Sequence, residues 1–127
     1  GSLATADAKL MEPVMAELRE RGLLFVDSRT SGKSVAYQTA AAAGVPALLN
    51  RGFLDNTADK NAIAARFREI VKSAQKRGAL VVICHFRPST VMFLEELDKN
   101  RKDLHVKLVT VPEMLKLMKD GPREEDI

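Results

Sequence analysis

The sequence predicts an α/β fold in which helices alternate with parallel strands, as in a layered sheet or part of a (β/α) barrel. Segments with helical apolar spacing alternate with short, almost continuously apolar runs, and the links between them are short. Such alternation favours parallel strands joined by right-handed crossovers. The 127 residues are enough for one domain, which we expect over residues 1–121, followed by a charged tail at 122–127.

The first helix is expected between Thr5, a suitable N-cap, and Gly22, a suitable C-terminal stop. Its apolar residues recur at helical spacing: Leu10, Met11, Val14, Met15 and Leu18. Pro13 lies inside this pattern, so the helix either kinks there or begins there after a short turn. The run LLFVDS at 23–28 follows directly and predicts a buried strand.

A second helix and strand are predicted next along the chain. The segment TSGKS at 30–34 is expected to open the helix, which continues through an alanine-rich stretch to Gly44. The small alanine side chains favour close packing of this helix against its neighbours. The run VPALLN at 45–50 predicts a shorter strand, and residues 52–59 have the composition of a loop.

A third helix is indicated by an apolar stripe that stops at Gly78. The stripe consists of Ile63, Phe67, Ile70, Val71 and Ala74. The run ALVVICH at 79–85 predicts the strongest strand of the chain, and Pro88 suits the first turn of a fourth helix. That helix carries the apolar residues Val91, Leu94 and Leu97.

The last predicted elements are a strand over HVKLVTV at 105–111 and a helix that begins at Pro112 and ends at Gly121. The residues that follow, PREEDI, are expected to be frayed because termini are ordered only where something holds them.

The composition is that of a globular protein and argues against several classes of function. The chain is 46% hydrophobic and 29% charged, with a formal net charge of +3. Basic clusters at 19–21 and 99–102 lie near the ends of predicted helices, where cations suit the helix dipole. Neither cluster has aromatic partners, so nucleic-acid binding is not expected. We find no secretory signal and no apolar stretch long enough to span a bilayer.

Motifs for nucleotides, zinc and disulfides are missing from the sequence. No GxGxxG follows a strand, and SGKS at 31–34 lacks the first glycine of a phosphate-binding loop. The two histidines, His85 and His105, fall on opposite predicted rims and show no zinc-ligand spacing. Cys84 is the single cysteine, which excludes an intrachain disulfide, and its apolar neighbours predict a buried, inert thiol.

Polar side chains gather where three of the predicted strands end. In parallel sheets and barrels these carboxyl ends share one rim, and chemistry concentrates there. Each strand contributes two candidates to the rim: Asp27 and Arg29, Asp55 and Asn56, and His85 and Arg87. We therefore expect these six residues to converge although they are far apart in sequence.

Each candidate also has a purely structural interpretation. Asp27 suits a cap of the following helix, and Arg29 suits an ordinary surface cation. Asp55 and Asn56 form a common turn pair, and a lone histidine at the end of a strand, such as His85, is usually structural. The combination of acids, an imidazole and two guanidinium groups on one rim favours a site, although any α/β protein places polar residues there.

Several segments resemble the divergent polysaccharide deacetylases, bacterial relatives of the carbohydrate esterases that remove N- or O-acetyl groups. FVDSRT at 25–30 is similar to one strand of that family with its Asp-Ser-Arg-Thr ending, and FLDN at 53–56 is similar to its next loop. ICHFRPST at 83–90 resembles a Gly-His-Pro-His-Pro segment, and LVTVPEML at 108–115 resembles the closing strand and helix. The resemblance covers nearly the whole chain and implies the C-terminal half of a larger deacetylase-type barrel.

The chain departs from the family in two respects. The metal ligands of the family, an aspartate and two histidines, are expected upstream of Gly1. Within the Gly-His-Pro-His-Pro segment, His85 is retained, whereas Cys84 replaces the glycine and Arg87 replaces the second histidine. The larger side chain at position 84 puts catalytic competence in doubt.

The resemblance implies metal-assisted deacetylation of a polysaccharide or oligosaccharide by the complete protein, outside the cytoplasm. A divalent metal, with zinc the expected ion, belongs to the complete fold and is not supplied by this chain alone, which we expect to be inactive by itself. His85 is the expected acid for the leaving group. Asp27 or Asp55 is expected to orient it, while Arg29, Asn56 and Arg87 are expected to bind substrate.

Two alternatives remain open from the sequence. The substitutions at positions 84 and 87 favour a catalytically degenerate domain of the cell envelope that binds a glycan or a protein. Alternatively, the chain is an α/β domain whose exposed sheet edges pair with a second copy and form a homodimer.

Overall fold

The computed structural model describes residues 1–120, which form six α-helices, one 3₁₀ helix and a parallel two-stranded sheet. The order is α1 (Ser2–Thr5), α2 (Ala8–Glu20), β1 (Phe25–Asp27), α3 (Ala36–Ala42), β2 (Ala47–Leu49), α4 (Lys60–Arg77), α5 (Pro88–Lys99), the 3₁₀ helix Arg101–Asp103 and α6 (Val111–Asp120). The predicted α/β class with parallel strands is confirmed. The tail predicted to be frayed lies outside the described residues.

The described residues divide into two compact units. The first comprises residues 1–50 and 110–120, and the second comprises residues 51–109. Within residues 1–120, every helix is too short or too polar to cross a membrane.

In the first unit, α2 begins at Ala8, directly after its N-cap residue Asp7, whose side chain caps the helix. Asp7 Oδ1 accepts hydrogen bonds from the amides of Lys9 and Leu10, at 2.9 and 3.4 Å. The prediction of Thr5 as the cap was wrong, because Thr5 ends the separate helix α1. Pro13 lies within α2, so the helix does not start at this residue.

The core of the first unit lies where α2 and α3 meet. It is formed by Met11, Met15, Ala36, Ala40 and Val45. The buried alanines of α3 allow the close approach that the alanine-rich sequence predicted.

Strands β1 and β2 pair in parallel, with Phe25 opposite Ala47 and Asp27 opposite Leu49. The first strand is shorter than predicted, since Leu23, outside the pairing, is 49% exposed.

The segment at 30–34 forms a loop, so the prediction that it opens the second helix was wrong. The Lys33 amide donates to Ser31 Oγ at 3.2 Å, and Ser34 Oγ donates to Asp27 Oδ2 at 2.8 Å. These local bonds offer the backbone an alternative to the helix, which therefore starts later, at Ala36.

In the second unit, α4 is defined at both ends by local signals. Asp59 Oδ2 accepts from the Ala62 amide at 2.8 Å, and Gly78 ends the helix at a φ of 87°, a conformation that favours glycine. Helix α4 packs against α5, with the rings of Phe67 and Phe93 in edge contact at 5.5 Å. The buried core here contains Leu54, Ile63, Ile70 and Phe93.

The run at 79–85 is extended but does not form a regular strand, so the prediction of the strongest strand was wrong there. Residues 51–54 and 81–83 nevertheless run parallel. The Arg51 amide donates to Val81 O at 2.9 Å, the Ile83 amide to Gly52 O at 3.0 Å, and the Leu54 amide to Ile83 O at 2.9 Å. This short parallel pairing sets the register of the site described below.

The strand predicted at 105–111 is also wrong. These residues form no strand, Leu108 is 55% exposed, and Val111 already belongs to α6. Within residues 1–120 no neighbouring strand takes up the backbone groups of this segment, and an extended run without a partner is not a stable strand.

Candidate functional site

Asp55 is the centre of a polar cluster in the second unit. The residue is fully buried at 0% exposure. Its Oδ2 accepts from the amide of His85 at 2.9 Å and from Thr90 Oγ1 at 2.5 Å. Its Oδ1 lies 2.9 Å from His85 Nδ1, and the Arg87 Nε lies 3.6 Å from Oδ2. We call these four residues the Asp55 cluster.

The register of the chain brings these residues together. Because residues 51–54 run parallel to 81–83, the residues that follow each segment emerge at the same end. Asp55 follows the first segment and His85 follows the second. Pro88 then starts α5 at its first position, which places Thr90 in the first turn with its hydroxyl against Asp55.

Burial and hydrogen bonding have opposite effects on the pKa of Asp55, and their balance sets its charge. Burial, the largest single influence, raises the pKa of this carboxyl. The hydrogen bonds from Thr90 and from the side chain and amide of His85, with the charge of His85, together outweigh it and lower the pKa from 3.8 to about 2. Asp55 is therefore a carboxylate across the neutral range.

His85 presents one ring nitrogen to the cluster and the rest of its ring to solvent. Its Nδ1 contacts Asp55 Oδ1, while its side chain is 53% exposed. The ring stacks on Phe53, with centroids 5.9 Å apart and planes 19° apart. The carboxylate and the stacking thus fix the imidazole, and Nε2 is the ring nitrogen that these contacts leave unengaged. The neighbouring Phe86 is 98% exposed.

Cys84 is exposed, so the prediction of a buried thiol was wrong. The pKa of the thiol is raised by desolvation of the sulfur and by the negative charge of Asp55. A thiol with a raised pKa stays protonated at neutral pH and is a poor nucleophile.

Asp27 organises a second polar cluster, in the first unit. It is 2% exposed, and its Oδ1 accepts from the Arg29 amide at 2.8 Å. Its Oδ2 accepts from Ser34 Oγ at 2.8 Å and from the Tyr37 amide, in the first turn of α3, at 3.3 Å. We call Asp27, Arg29, Ser34 and Tyr37 the Asp27 cluster. Its bonds hold the loop between β1 and α3 and cap the helix, as the structural interpretation of Asp27 anticipated.

Arg29 has a φ of 44°, which makes it a non-glycine residue in the left-handed region. Its amide bond to Asp27 and the bond from Asn50 Nδ2 to Ser28 O, at 2.8 Å, hold the turn in this conformation. The guanidinium is thereby displayed from a fixed turn, and the residue is exposed.

The structure thus brings together three of the six predicted rim residues, Asp55, His85 and Arg87, and pairs Asp27 with Arg29 in the other cluster. Asn56 is exposed and takes no part in the hydrogen bonds that hold the Asp55 cluster. The convergence of all six, and the catalytic or binding role of each, stay predictions.

The sequence interpretation missed Thr90 and Ser34. Both are hydroxyl residues in the first turn of a helix or just before it, and both donate to a buried aspartate. A hydroxyl close to a helix start is the signal that would have found them, but the same signal marks ordinary helix caps.

A metal site does not fit the residues that are described. Over residues 1–120, no group of three or more His, Cys, Asp or Glu side chains is placed to hold a metal ion. Oδ2 of Asp55 already accepts from two protein donors, and Oδ1 lies 2.9 Å from His85 Nδ1. The divalent metal implied by the resemblance therefore has no ligand set in this part of the chain.

Comparison with known proteins identifies similar chains. The family described as "Divergent polysaccharide deacetylase" matches residues 1–115, which confirms the resemblance found in the sequence. An uncharacterized protein of Haemophilus influenzae is 41% identical over 75% of this chain and 34% of its own length. The uncharacterized protein YibQ of Escherichia coli is 31% identical over 79% of this chain and 31% of its own length.

A crystal structure of an uncharacterized protein from Agrobacterium tumefaciens resembles the fold, with a TM-score of 0.80 at 21% identity over 87% of this chain and 45% of that one. The chain spans about a third of the length of the curated relatives it matches.

Proposed function

Because the chain belongs to the divergent polysaccharide deacetylase family, we propose that it provides the proton-transferring part of a site that deacetylates a polysaccharide or oligosaccharide in the complete protein. The observation that carries the proposal is the Asp55–His85 pair. A buried carboxylate holds Nδ1 of an imidazole whose side chain is half-exposed to solvent. This is the arrangement that a histidine needs to pass a proton to a bound molecule.

In the proposed reaction, water adds to the acetyl carbonyl carbon and gives its proton to a base elsewhere in the complete protein. The C–N or C–O bond then breaks while Nε2 of His85 gives a proton to the departing amine or alkoxide, and acetate is released. The nitrogen or oxygen leaves neutral as a result, which removes the main barrier to its departure. Asp55 stabilises the imidazolium that exists before the transfer, because its carboxylate lies 2.9 Å from Nδ1. Thr90 and the His85 amide keep that carboxylate in place.

No step of the proposal passes through a metal held by residues 1–120, because these residues offer no ligand set. We propose that the divalent ion, zinc by expectation, is held by other parts of the complete protein. The described residues then act only by orienting the substrate and moving the proton.

Substrate contacts are proposed for three exposed side chains, Phe86, Asn56 and Arg29. Phe86, at 98% exposure, offers an apolar ring to the C–H face of a sugar. Asn56 is exposed next to Asp55 and offers an amide to a sugar hydroxyl. Arg29, displayed from its fixed turn, is proposed to bind a substrate oxygen through its planar fork. An acetylated polysaccharide of the cell envelope is the proposed substrate, with the protein outside the cytoplasm and no nucleic acid as partner.

The test is acetate release by the complete protein from N-acetylated chitooligosaccharides and O-acetylated xylooligosaccharides. Replacing His85 with Asn is expected to lower kcat by about 10²–10⁴. The matched control is His105→Asn, because His105 is the other histidine of the chain and lies outside the Asp55 cluster. Full activity of H85N would contradict the proposal.

A second candidate is a non-catalytic domain that binds glycans. Two observations favour it: the described residues fit no metal site, and Arg87 contacts the imidazole at Nδ1, 2.8 Å away. Calorimetric titration with the same oligosaccharides distinguishes the two functions. Binding that depends on Phe86, without acetate release by the complete metal-loaded protein, would support the binding function.

A further inference from the structure

The ring nitrogen Nδ1 of His85 has two partners that it cannot satisfy together. Asp55 Oδ1 lies 2.9 Å from it, and Arg87 Nη2 lies 2.8 Å from it. A ring nitrogen carries either one hydrogen or one lone pair in the plane of the ring. With a hydrogen, Nδ1 donates to Asp55 and its N–H faces an N–H of Arg87. With a lone pair, it accepts from Arg87 and faces the carboxylate.

Asp55 does not depend on the imidazole for its own stability. Its Oδ2 accepts from the His85 amide and from Thr90 Oγ1 whichever ring nitrogen carries the proton. The Arg87 guanidinium also lies near this oxygen, with Nε 3.6 Å away. A permanent positive charge there weakens the attraction of the carboxylate for a proton on Nδ1.

Arg87 is not used for another evident purpose in the described residues. It occupies the N-cap position of α5, yet its side chain makes no capping bond. The side chain is 29% exposed, and its guanidinium contacts the imidazole and lies near the carboxylate. Apart from the Cys84 thiol, Asp55 and Arg87 are the ionisable groups that these contacts place around His85.

We propose that Arg87 is a positioning residue that occupies the Nδ1 lone pair of His85 and so keeps the proton of the neutral ring on Nε2. An Asp–His pair alone draws that proton to Nδ1 and leaves a bare Nε2, which can only accept. With Arg87 in place, Nε2 of the neutral ring carries a hydrogen with which it can donate a hydrogen bond to a substrate oxygen before the ring gains the second proton that it transfers. This role differs from the substrate binding predicted for Arg87 from sequence.

The use of the Nε2 hydrogen toward a substrate rests on the proposed function, whereas the assignment of that hydrogen to Nε2 of the neutral ring does not. Its position can be measured without substrate or metal. Failure of the deacetylase proposal and failure of this inference are therefore separate results.

The test is side-chain ¹⁵N NMR of the histidines in the full 127-residue chain, at about pH 9, where an ordinary histidine is neutral. The chain has two histidines, so a His105→Asn background leaves the signals of His85 alone. In that background, the Nδ1 signal is expected at the position of an unprotonated nitrogen and the Nε2 signal at that of a protonated one. Replacing Arg87 with Met is expected to shift the tautomer ratio toward Nδ1–H by at least tenfold.

Two further variants make the result specific. Arg87→Lys keeps the charge and a donor without the planar fork, and is expected to give an intermediate ratio. Arg101→Met removes an exposed guanidinium that pairs with Asp98, away from His85, and is expected to leave the ratio unchanged.

An unchanged ratio in R87M with a dispersed amide spectrum would overturn the inference. If R87M loses that dispersion, Arg87→Gln is judged by the same criterion, because Gln keeps a neutral donor of similar length. A wild-type ring that carries its proton on Nδ1 would also overturn it.

Discussion

The two aspartate clusters look alike in sequence but differ in their partners. Asp27 and Asp55 both follow an extended segment, both are almost completely buried, and each accepts at least one backbone amide. The donors to Asp27 are two amides and a hydroxyl from residues at most ten positions away. The partners of Asp55 lie at least 30 positions away and include an imidazole and a guanidinium.

The two carboxylates therefore differ in what they hold. Asp27 accepts from local amides and a hydroxyl and stabilises a loop, whereas Asp55 holds an exposed imidazole, the group to which the proposed function assigns proton transfer. Burial alone does not distinguish them, and neither does the position at the end of a strand. What distinguishes them is whether the partners include an ionisable side chain that is exposed to solvent, and His85 is such a partner of Asp55.

The largest expected effect is the loss of Asp55 itself. Replacing Asp55 with Ala leaves the buried Thr90 hydroxyl and the His85 amide without an acceptor, and it leaves Arg87 without its anion. We expect a fall of about 3–5 kcal/mol in the free energy of unfolding, measured by urea denaturation. Asp59→Ala, which removes only the α4 cap, is the control and should cost about 1 kcal/mol. Equal losses in the two variants would show that Asp55 is no more than a cap.

A smaller effect is expected for Asp27, and it tests the comparison directly. Asp27→Asn keeps one acceptor oxygen but turns a nitrogen toward a donor, at a cost of about 1–3 kcal/mol in unfolding free energy. The side-chain ¹⁵N signals of His85 should not change, because no bond joins Asp27 to the imidazole. Asp55→Asn, in contrast, should shift those signals. A shift of the His85 signals in D27N would contradict the conclusion that only the Asp55 cluster influences the imidazole.

The free energy of unfolding is expected to depend on pH through the protonation of Asp55. The pKa of Asp55 is lowered from 3.8 in the unfolded chain to about 2 in the folded one, so the unfolded state binds the proton more tightly. The resulting stabilisation is complete above the unfolded value and is lost as pH falls from about 5 toward 2. Its size is about 2–3 kcal/mol, because a pKa difference of one unit corresponds to ~1.4 kcal/mol. Comparing urea midpoints of the wild type and D55N between pH 6 and about 2.5 measures it. Parallel pH profiles for the two proteins would contradict this assignment.

Local signals explain which elements could be predicted from the sequence. Asp59 and Gly78 fix the ends of α4 by bonds and angles within a few residues, and the predicted helix there is correct. The runs at 79–85 and 105–111 have the composition of strands, but a strand exists only if another segment pairs with it. Pairing is a long-range property, and β-branched composition does not reveal whether a partner is present.

The Asp55 cluster could be predicted from the sequence only where its residues follow parallel segments. Residues after two parallel segments emerge at one end, which is why Asp55, His85 and Arg87 could be grouped before their contacts were known. Thr90 could not, since it lies outside the predicted apolar set Val91, Leu94 and Leu97, whereas the structure buries Thr90 and leaves Leu94 38% exposed. The bond to Asp55 sets that rotation, and the helix sequence alone does not encode it.

The smallest effect on stability is expected for replacement of Phe86. For this residue, the change in unfolding free energy is compared with the change in sugar binding. Its side chain is 98% exposed, so Phe86→Ser removes almost no buried surface and should change unfolding free energy by less than about 0.5 kcal/mol. If the ring supports a sugar next to Nε2 of His85, the same change should raise KM or weaken oligosaccharide binding about tenfold while leaving kcat nearly unchanged. Leu10→Ser, on α2 and 54% exposed, is the matched control from the unit that holds the Asp27 cluster. Because both variants exchange an exposed apolar side chain for a hydroxyl, a loss of affinity confined to F86S places the sugar at the Asp55 cluster. Equal affinities in the two variants would contradict the proposal that a sugar binds beside His85 at the Asp55 cluster.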